Sequence, residues 1–190
     1  ATSAGKSGFI TSLYVLFVPF LSVFLKKKVS VRTWICVFFG LCGAFFLSIS
    51  GESGITYGDI LVFICAVLFA VHIMFIDYYN SFIEGVVLSA TQFLFAGLLN
   101  FIVGFIVRDV SFTGIEGAAV SIIYGGFFSC GLAFTFQVIG QKYVQPAKAT
   151  LALCLESCWA AVGGALILGE SMNTREIIGC IILFTSVLIA

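Results

Sequence analysis

The sequence predicts an all-α fold, a polytopic transmembrane bundle of seven helices. Its composition supports this, because 61% of the 190 residues are hydrophobic and only 9% are charged. A soluble domain carries about a quarter charged residues, and nine basic plus nine acidic residues could not cover such a surface. The zero net charge argues against a basic surface for nucleic acid, so the expected surroundings are a lipid bilayer.

Seven apolar runs, here named A to G, account for most of the chain. A membrane span needs about 20 mostly apolar residues, and six runs reach or approach that length, whereas G is cut short by the end of the chain. Because the chain starts without a methionine and stops within an apolar run, we expect a fragment of a longer protein. The runs cover about residues 8–25 (A), 33–50 (B), 58–78 (C), 85–107 (D), 117–139 (E), 146–168 (F) and 176–190 (G).

Basic residues in the loops predict the orientation in the membrane. Lys26, Lys27 and Lys28 lie together in the short loop between A and B, and Arg32 follows them. Short cytoplasmic loops carry an excess of lysine and arginine. We therefore expect the A–B loop in the cytoplasm and a multi-pass protein of the cytoplasmic membrane.

All seven cysteines lie within apolar runs, and the chain has no CxxC motif. This pattern predicts buried small hydrophobic residues, with no disulfide, cofactor or metal site. Cys154 and Cys158 are one helical turn apart, which leaves a shared soft metal ion as the alternative.

A weak internal repeat relates A–B to F–G. Lys6 matches Lys148 and Arg32 matches Arg175, at offsets of 142 and 143 residues. Because A and F are five spans apart, they cross the membrane in opposite directions, so a five-helix repeat must be inverted. Inverted repeats are typical of secondary transporters, which bind substrate between the halves near the midplane. Residues 1–51 are then the last two helices of the first repeat, and residues 52–190 are the second repeat with a truncated last helix.

Two stretches of sequence also carry a resemblance to a known family. One runs from Ser3-Ala4-Gly5-Lys6-Ser7-Gly8-Phe9 through Leu13-Tyr14-Val15 to Pro19, and the other from Ala147 through Leu155-Glu156-Ser157 and Leu168-Gly169-Glu170 to Ile178-Gly179. They resemble the fourth, ninth and tenth helices of EamA-type members of the drug/metabolite transporter superfamily. The resemblance implies a ten-helix carrier for amino acids, other small metabolites or drugs, here without its first three helices.

Glu156 is the leading candidate for a functional residue. It lies near the centre of F, where a charge is costly, and an ionisable residue at that depth is a functional-site hypothesis. It shares a helical stripe with small residues such as Ala152 and Ala160, which favours helix contact over lipid contact, and Trp159 is a near neighbour. Glu156 binds a substrate amine or a proton in one interpretation and is a structural carboxyl in the other.

Other polar residues within the spans are further candidates for substrate or proton binding. Gln92 and Asn100 share one face of D, where they line a polar path or join helices. Tyr14 in A lies near Pro19, which marks a cavity or a packing kink. These candidates are completed by His72 in C, flanked by aromatic residues and alternatively a buried neutral histidine, and by Tyr124 in E.

The polar residues close to the ends of the runs are expected to be solvated. They are Asp77, Glu84, Gln137 and Gln141.

The function expected from these observations is secondary transport. No motif for a protease, hydrolase or nucleotide-binding loop is present, so we expect no enzyme and no catalytic residue. The expected partners are a small-molecule substrate, the bilayer and the missing N-terminal helices, and a homodimer is left open. A channel or receptor-like bundle is the alternative, followed by an intramembrane enzyme.

Overall fold

Helices form every regular element in the part of the chain that the structure, a computed structural model, describes. That part comprises residues 4–48, 55–107, 115–167, 169 and 172–190. The all-α prediction is therefore confirmed. The helices are α1 (Ala4–Ser12), α2 (Tyr14–Phe24), α3 (Val31–Ser48), α4 (Tyr57–Tyr79), α5 (Gly85–Val107), α6 (Ile115–Ile123), a π-helical segment (Tyr124–Ala133), α7 (Phe134–Gln141), α8 (Pro146–Ile167) and α9 (Thr174–Ile189).

Six stretches of helix in the described ranges are long and apolar enough to cross a membrane. They correspond to the predicted segments A to F, and α9 in segment G is shorter, with 16 residues. The prediction of a polytopic membrane protein is confirmed. The six are Lys6–Phe24, Val31–Ser48, Tyr57–Tyr79, Gly85–Val107, Glu116–Gln141 and Pro146–Ile167.

The regular hydrogen-bond pattern of the first span is interrupted at one residue, Leu13, between α1 and α2. Leu13 keeps right-handed helical backbone angles (φ −59°, ψ −17°), so the break at Leu13 is one of hydrogen bonding within a continuous span. The Leu13 amide donates to the Ile10 carbonyl at 3.2 Å, one residue short of the regular α-helical acceptor, Phe9. The buried Ser12 hydroxyl donates to the Phe9 carbonyl at 2.7 Å instead. A side chain thus satisfies a carbonyl that would otherwise lack a donor in the membrane.

The span in segment E is also irregular, because its centre is the π-helical segment. π-Helical backbone is rare in proteins, and where it occurs, mostly as a single turn, it often lies at a functional site. Tyr124 opens this segment, and two glycines follow it directly.

The chain divides into two compact units by packing. The first consists of Ala1–Phe75 with Val144–Ala190, and the second of Ile76–Tyr143. This division does not test the predicted repeat boundary after residue 51, which itself lies outside the described residues.

The core of the first unit brings together helices from both predicted repeats. Helix α3 packs against α9, and α2 packs against α8. Apolar side chains that are almost fully buried fill the core. Its largest members are Val15, Val18, Val37, Ile73, Leu151 and Leu183.

Polar contacts join helices in the second unit. The Asn80 side-chain amide donates to the Val138 carbonyl at 2.5 Å, and the hydroxyls of Ser89 and Thr135 are 2.8 Å apart. Gln141 corrects an expectation, since it was predicted to be solvated and is only 4% exposed. It follows Val138 by three residues, so it lies on the same inward-facing side of α7.

Helix α9 begins with a capping box. The Asn173 side chain accepts from the Arg175 amide at 3.2 Å, and the Glu176 carboxylate accepts from the Asn173 amide at 2.9 Å. These two bonds satisfy helix-terminal donors and define the start of α9.

Candidate functional site

A cavity of about 290 Å³ with several polar side chains in its lining lies within the first unit, between α1, α2 and α8. This size is at the lower end of the range for small-molecule sites, roughly 300 Å³ and above. The cavity borders the break at Leu13. Its lining residues are Ser7, Gly8, Thr11, Ser12, Tyr14, Leu153, Cys154, Glu156, Ser157 and Ala160.

Glu156 contributes the carboxylate of this cavity. It follows Pro146, the first residue of α8, by ten positions, so it lies about 15 Å along the helix and near the middle of the span. Its side chain is exposed at the cavity, as is that of Ala160. Ala152, on the same stripe, is also exposed, so the described helices do not cover that stripe completely.

Tyr14 of α2 also lines the cavity and is held by two contacts. Its hydroxyl oxygen accepts from the Cys154 thiol at an S···O distance of 3.8 Å. Its ring packs edge-on against Phe69 of α4, with the ring centroids 5.0 Å apart. Because Tyr14 is only 7% exposed, these contacts give the phenol a defined position at the cavity.

Two hydroxyls of α1 use their protons within their own helix. Thr11 donates to the Ser7 carbonyl at 2.9 Å, and Ser12 donates to the Phe9 carbonyl at 2.7 Å. Their oxygen lone pairs are therefore what these two side chains offer to the cavity.

An ion pair lies where α1 begins, next to the cavity residue Ser7. Lys6 Nζ is 2.5 Å from Asp59 Oδ2 of α4, and the Thr56 amide donates to the same oxygen at 2.7 Å. Sequence reasoning did not predict this pair, because its members are 53 residues apart. The only local signal was the Thr-x-x-Asp pattern of a helix start at Thr56.

Of the seven predicted site residues, Tyr14 and Glu156 are brought together at the cavity. His72 is half-buried, and its ring stacks on Phe69 with centroids 6.1 Å apart, which connects it to Tyr14 through one aromatic ring. Trp159 lines a different, apolar cavity of about 330 Å³ between α8 and α9.

The other three predicted residues belong to the second unit. Asn100 donates to the Ala96 carbonyl of its own helix at 2.8 Å, and Gln92 is half-buried on the same helix. The Tyr124 ring stacks on Phe128 with centroids 5.7 Å apart. Their roles in binding remain predictions.

Cys154 and Cys158, the two cysteines that could share a soft metal ion, contact different neighbours. Cys154 contacts Tyr14, whereas the Cys158 thiol lies 3.9 Å from the Cys180 carbonyl oxygen. Within the described ranges, no three His, Cys, Asp or Glu side chains are grouped closely enough to hold a metal ion.

Comparison with known proteins agrees with this architecture. The sequence pattern of the EamA-like transporter family matches residues 56–190, which is more than half of the chain. An uncharacterized transporter from Archaeoglobus fulgidus is 28% identical over 190 residues, covering 99% of this chain and 60% of the relative. The chain thus spans about 60% of the length of that relative. The protein described here is a multi-pass membrane protein and belongs to the EamA-like transporter family.

Proposed function

We propose that the protein is a secondary transporter that moves a small metabolite, amino acid or drug across the cytoplasmic membrane. The cavity between α1, α2 and α8 is its substrate site, and access to that site alternates between the two sides. Outward movement is the proposed direction. The carrier needs no cofactor, carries out no catalytic step, and works together with further helices of the same protein.

The observation that carries this proposal is that Glu156 and Tyr14 line one cavity beside the interrupted hydrogen-bond pattern at Leu13. Irregular backbone within a membrane is tolerated where it lines a cavity. Transporters place their sites near the midplane, at discontinuous helices between repeats. Helices α1 and α2 belong to the predicted first repeat and α8 to the second, so this cavity has the expected location.

Glu156 is suited to bind and release a positive charge. A carboxylate at mid-membrane costs about 3 kcal/mol on insertion scales, and none of the residues lining the cavity is basic. A substrate ammonium group or a proton supplies the missing charge. Binding of that charge stabilises the ionised carboxylate, and its release leaves the carboxylate without a partner again. The loaded and the empty carrier can therefore prefer different conformations.

The test is Glu156→Gln in the full-length protein, reconstituted in proteoliposomes. Glutamine keeps the size and the hydrogen-bonding capacity but removes the charge. We expect a folded, inserted protein that has lost transport. Glu84→Gln is the control, because Glu84 is exposed between α4 and α5. Normal transport by the Glu156→Gln protein would make Glu156 a structural residue and overturn the proposal.

A further inference from the structure

We infer that the cavity selects solutes with a cationic amine head group and discriminates against a carboxylate on the same solute. This rests on the proposed function and specifies its substrate class. Three observations carry the inference: the formal charge of the described cavity, the direction of its hydrogen bonds, and the ion pair that engages Lys6 beside the cavity residue Ser7.

The formal charge of the cavity is negative. Glu156 is the one ionisable acid or base among the ten residues that line it, apart from the weakly acidic Tyr14 and Cys154. In a low-dielectric site a carboxylate attracts an ammonium group and repels a second carboxylate far more strongly than in water. The lining therefore favours a solute that brings one positive charge and no negative one.

Lys6 precedes the cavity residue Ser7 and is engaged elsewhere. Its ammonium group pairs with Asp59 at 2.5 Å, and the Asp59 side chain is only 6% exposed. Lys6 lies eight residues before Tyr14, or about 12 Å along a helix. A zwitterionic amino acid that placed its ammonium group at Glu156 would find no basic partner for its carboxylate among the residues that line the cavity.

Hydrogen-bond directions strengthen the preference for a donor. Thr11 and Ser12 spend their protons on the carbonyls of Ser7 and Phe9, so they present acceptors. An ammonium group carries three donors and no acceptor. The oxygens of Glu156, Thr11 and Ser12 match that pattern.

The volume of the cavity suits a small amine. Its volume is about 290 Å³, and apolar contact is available from Leu153 and Ala160. A short alkyl or aryl group fits beside the ammonium group, so a suitable probe set consists of amines and the amino acids from which they differ by one carboxylate.

The experiment uses Ala160→Cys in the full-length protein as a reporter of occupancy, because Ala160 is exposed and lines the cavity. Alkylation of residue 160 is followed by peptide mass spectrometry in the presence of matched pairs. The pairs are ethylamine and alanine, isobutylamine and valine, and phenethylamine and phenylalanine. We expect each amine to slow alkylation at a concentration at least about tenfold lower than the matched amino acid does, which corresponds to a difference of about 1.4 kcal/mol in binding free energy.

A second substitution tests the Thr11 oxygen as a hydrogen-bond acceptor for the amine. Thr11→Val removes one oxygen from the cavity, and we expect several-fold weaker protection by the amines. Thr91→Val is the matched control, because Thr91 makes the same bond to the carbonyl four residues earlier, at 2.7 Å, on α5. An equal effect of both substitutions would contradict a role of Thr11 as an acceptor in the cavity.

The outcomes separate this inference from the proposed function. Equal or better protection by the amino acids, or no protection by any amine up to about 10 mM, which corresponds to affinity weaker than about 3 kcal/mol, overturns the amine preference. Transport that still depends on Glu156 would then leave the proposed function in place. Transport that does not depend on Glu156 overturns the proposed function itself.

Discussion

Gly43 of α3 and Gly179 of α9 are in reciprocal contact, because a Cβ atom built on either one would lie 2.8 Å from the carbonyl oxygen of the other. Small residues permit such close approach between membrane helices. Helices α3 and α9 are equivalent members of the two predicted repeats. A two-fold axis relating the repeats would make equivalent helices meet in this reciprocal way, and the inverted repeat itself stays a prediction.

Alanine at Gly43 or Gly179 should destabilise the first unit. The added methyl group would meet backbone atoms at 2.8–3.0 Å, which cannot move as a side chain can, and overpacking of this kind costs about 1–3 kcal/mol. The free energy of unfolding by SDS titration in mixed micelles measures the effect. Gly97→Ala is the control, because nothing lies within 4 Å of its Cβ position. Equal stability of all three variants would contradict the close contact.

Much of the fold could be predicted from the sequence because its signal is one-dimensional. The membrane spans follow from the length of the apolar runs, and the described helices coincide with them. The break at Leu13 could not be predicted in this way, since leucine is a good helix former and is ordinary in an apolar run. The sequence instead offered Pro19, six residues further along, as the site of a kink. Pro19 instead lies inside the continuous helix α2.

The candidate site was predictable in part. Glu156 and Tyr14 are conspicuous as polar groups in apolar runs, and the structure brings both to one cavity. The Lys6–Asp59 pair depends on a contact between distant spans, which composition does not reveal. Gln141 was misjudged because a position near a helix end suggests water, whereas its side chain is buried and lacks a hydrogen-bond partner among the described residues.

Ser12→Ala tests the break in the first span. It removes the donor to the Phe9 carbonyl, which the Leu13 amide does not replace, and an unsatisfied buried carbonyl costs about 1–3 kcal/mol. Ser186→Ala is the matched control. Ser186 is equally buried and makes the same bond to Leu183 at 2.7 Å, but within the continuous helix α9. SDS titration should show a larger loss of stability for Ser12→Ala, and a smaller one would be inconsistent with the break.

The orientation of the protein can be tested with single cysteines in a cysteine-free background. Lys27 lies in the loop between α2 and α3. Tyr57 is the first residue of α4, so one span, α3, separates it from Lys27, and it is 76% exposed. If the lysine-rich loop is cytoplasmic, a cysteine at position 57 should react with a membrane-impermeant maleimide in whole cells and one at position 27 should not. Permeabilised cells, in which both should react, provide the control. The reverse pattern would invert the predicted topology.

The ion pair between Lys6 and Asp59 should stabilise the contact between α1 and α4 more than a surface pair does. The Lys6 side chain is 23% exposed and that of Asp59 only 6%, so removing one partner leaves a largely buried charge, which costs up to about 3–5 kcal/mol for a fully buried pair. Partial exposure of Lys6 lowers our expectation for Lys6→Met to about 1–3 kcal/mol. Asp59→Asn keeps an oxygen that can accept from the Thr56 amide, so it isolates the charge from the helix cap.

The double variant has neither charge and should be more stable than the sum of the single losses predicts, with a coupling energy of at least about 1 kcal/mol. SDS titration of the four proteins, at low and high salt, measures that coupling. Additive losses would show that the two side chains are neighbours without a stabilising interaction.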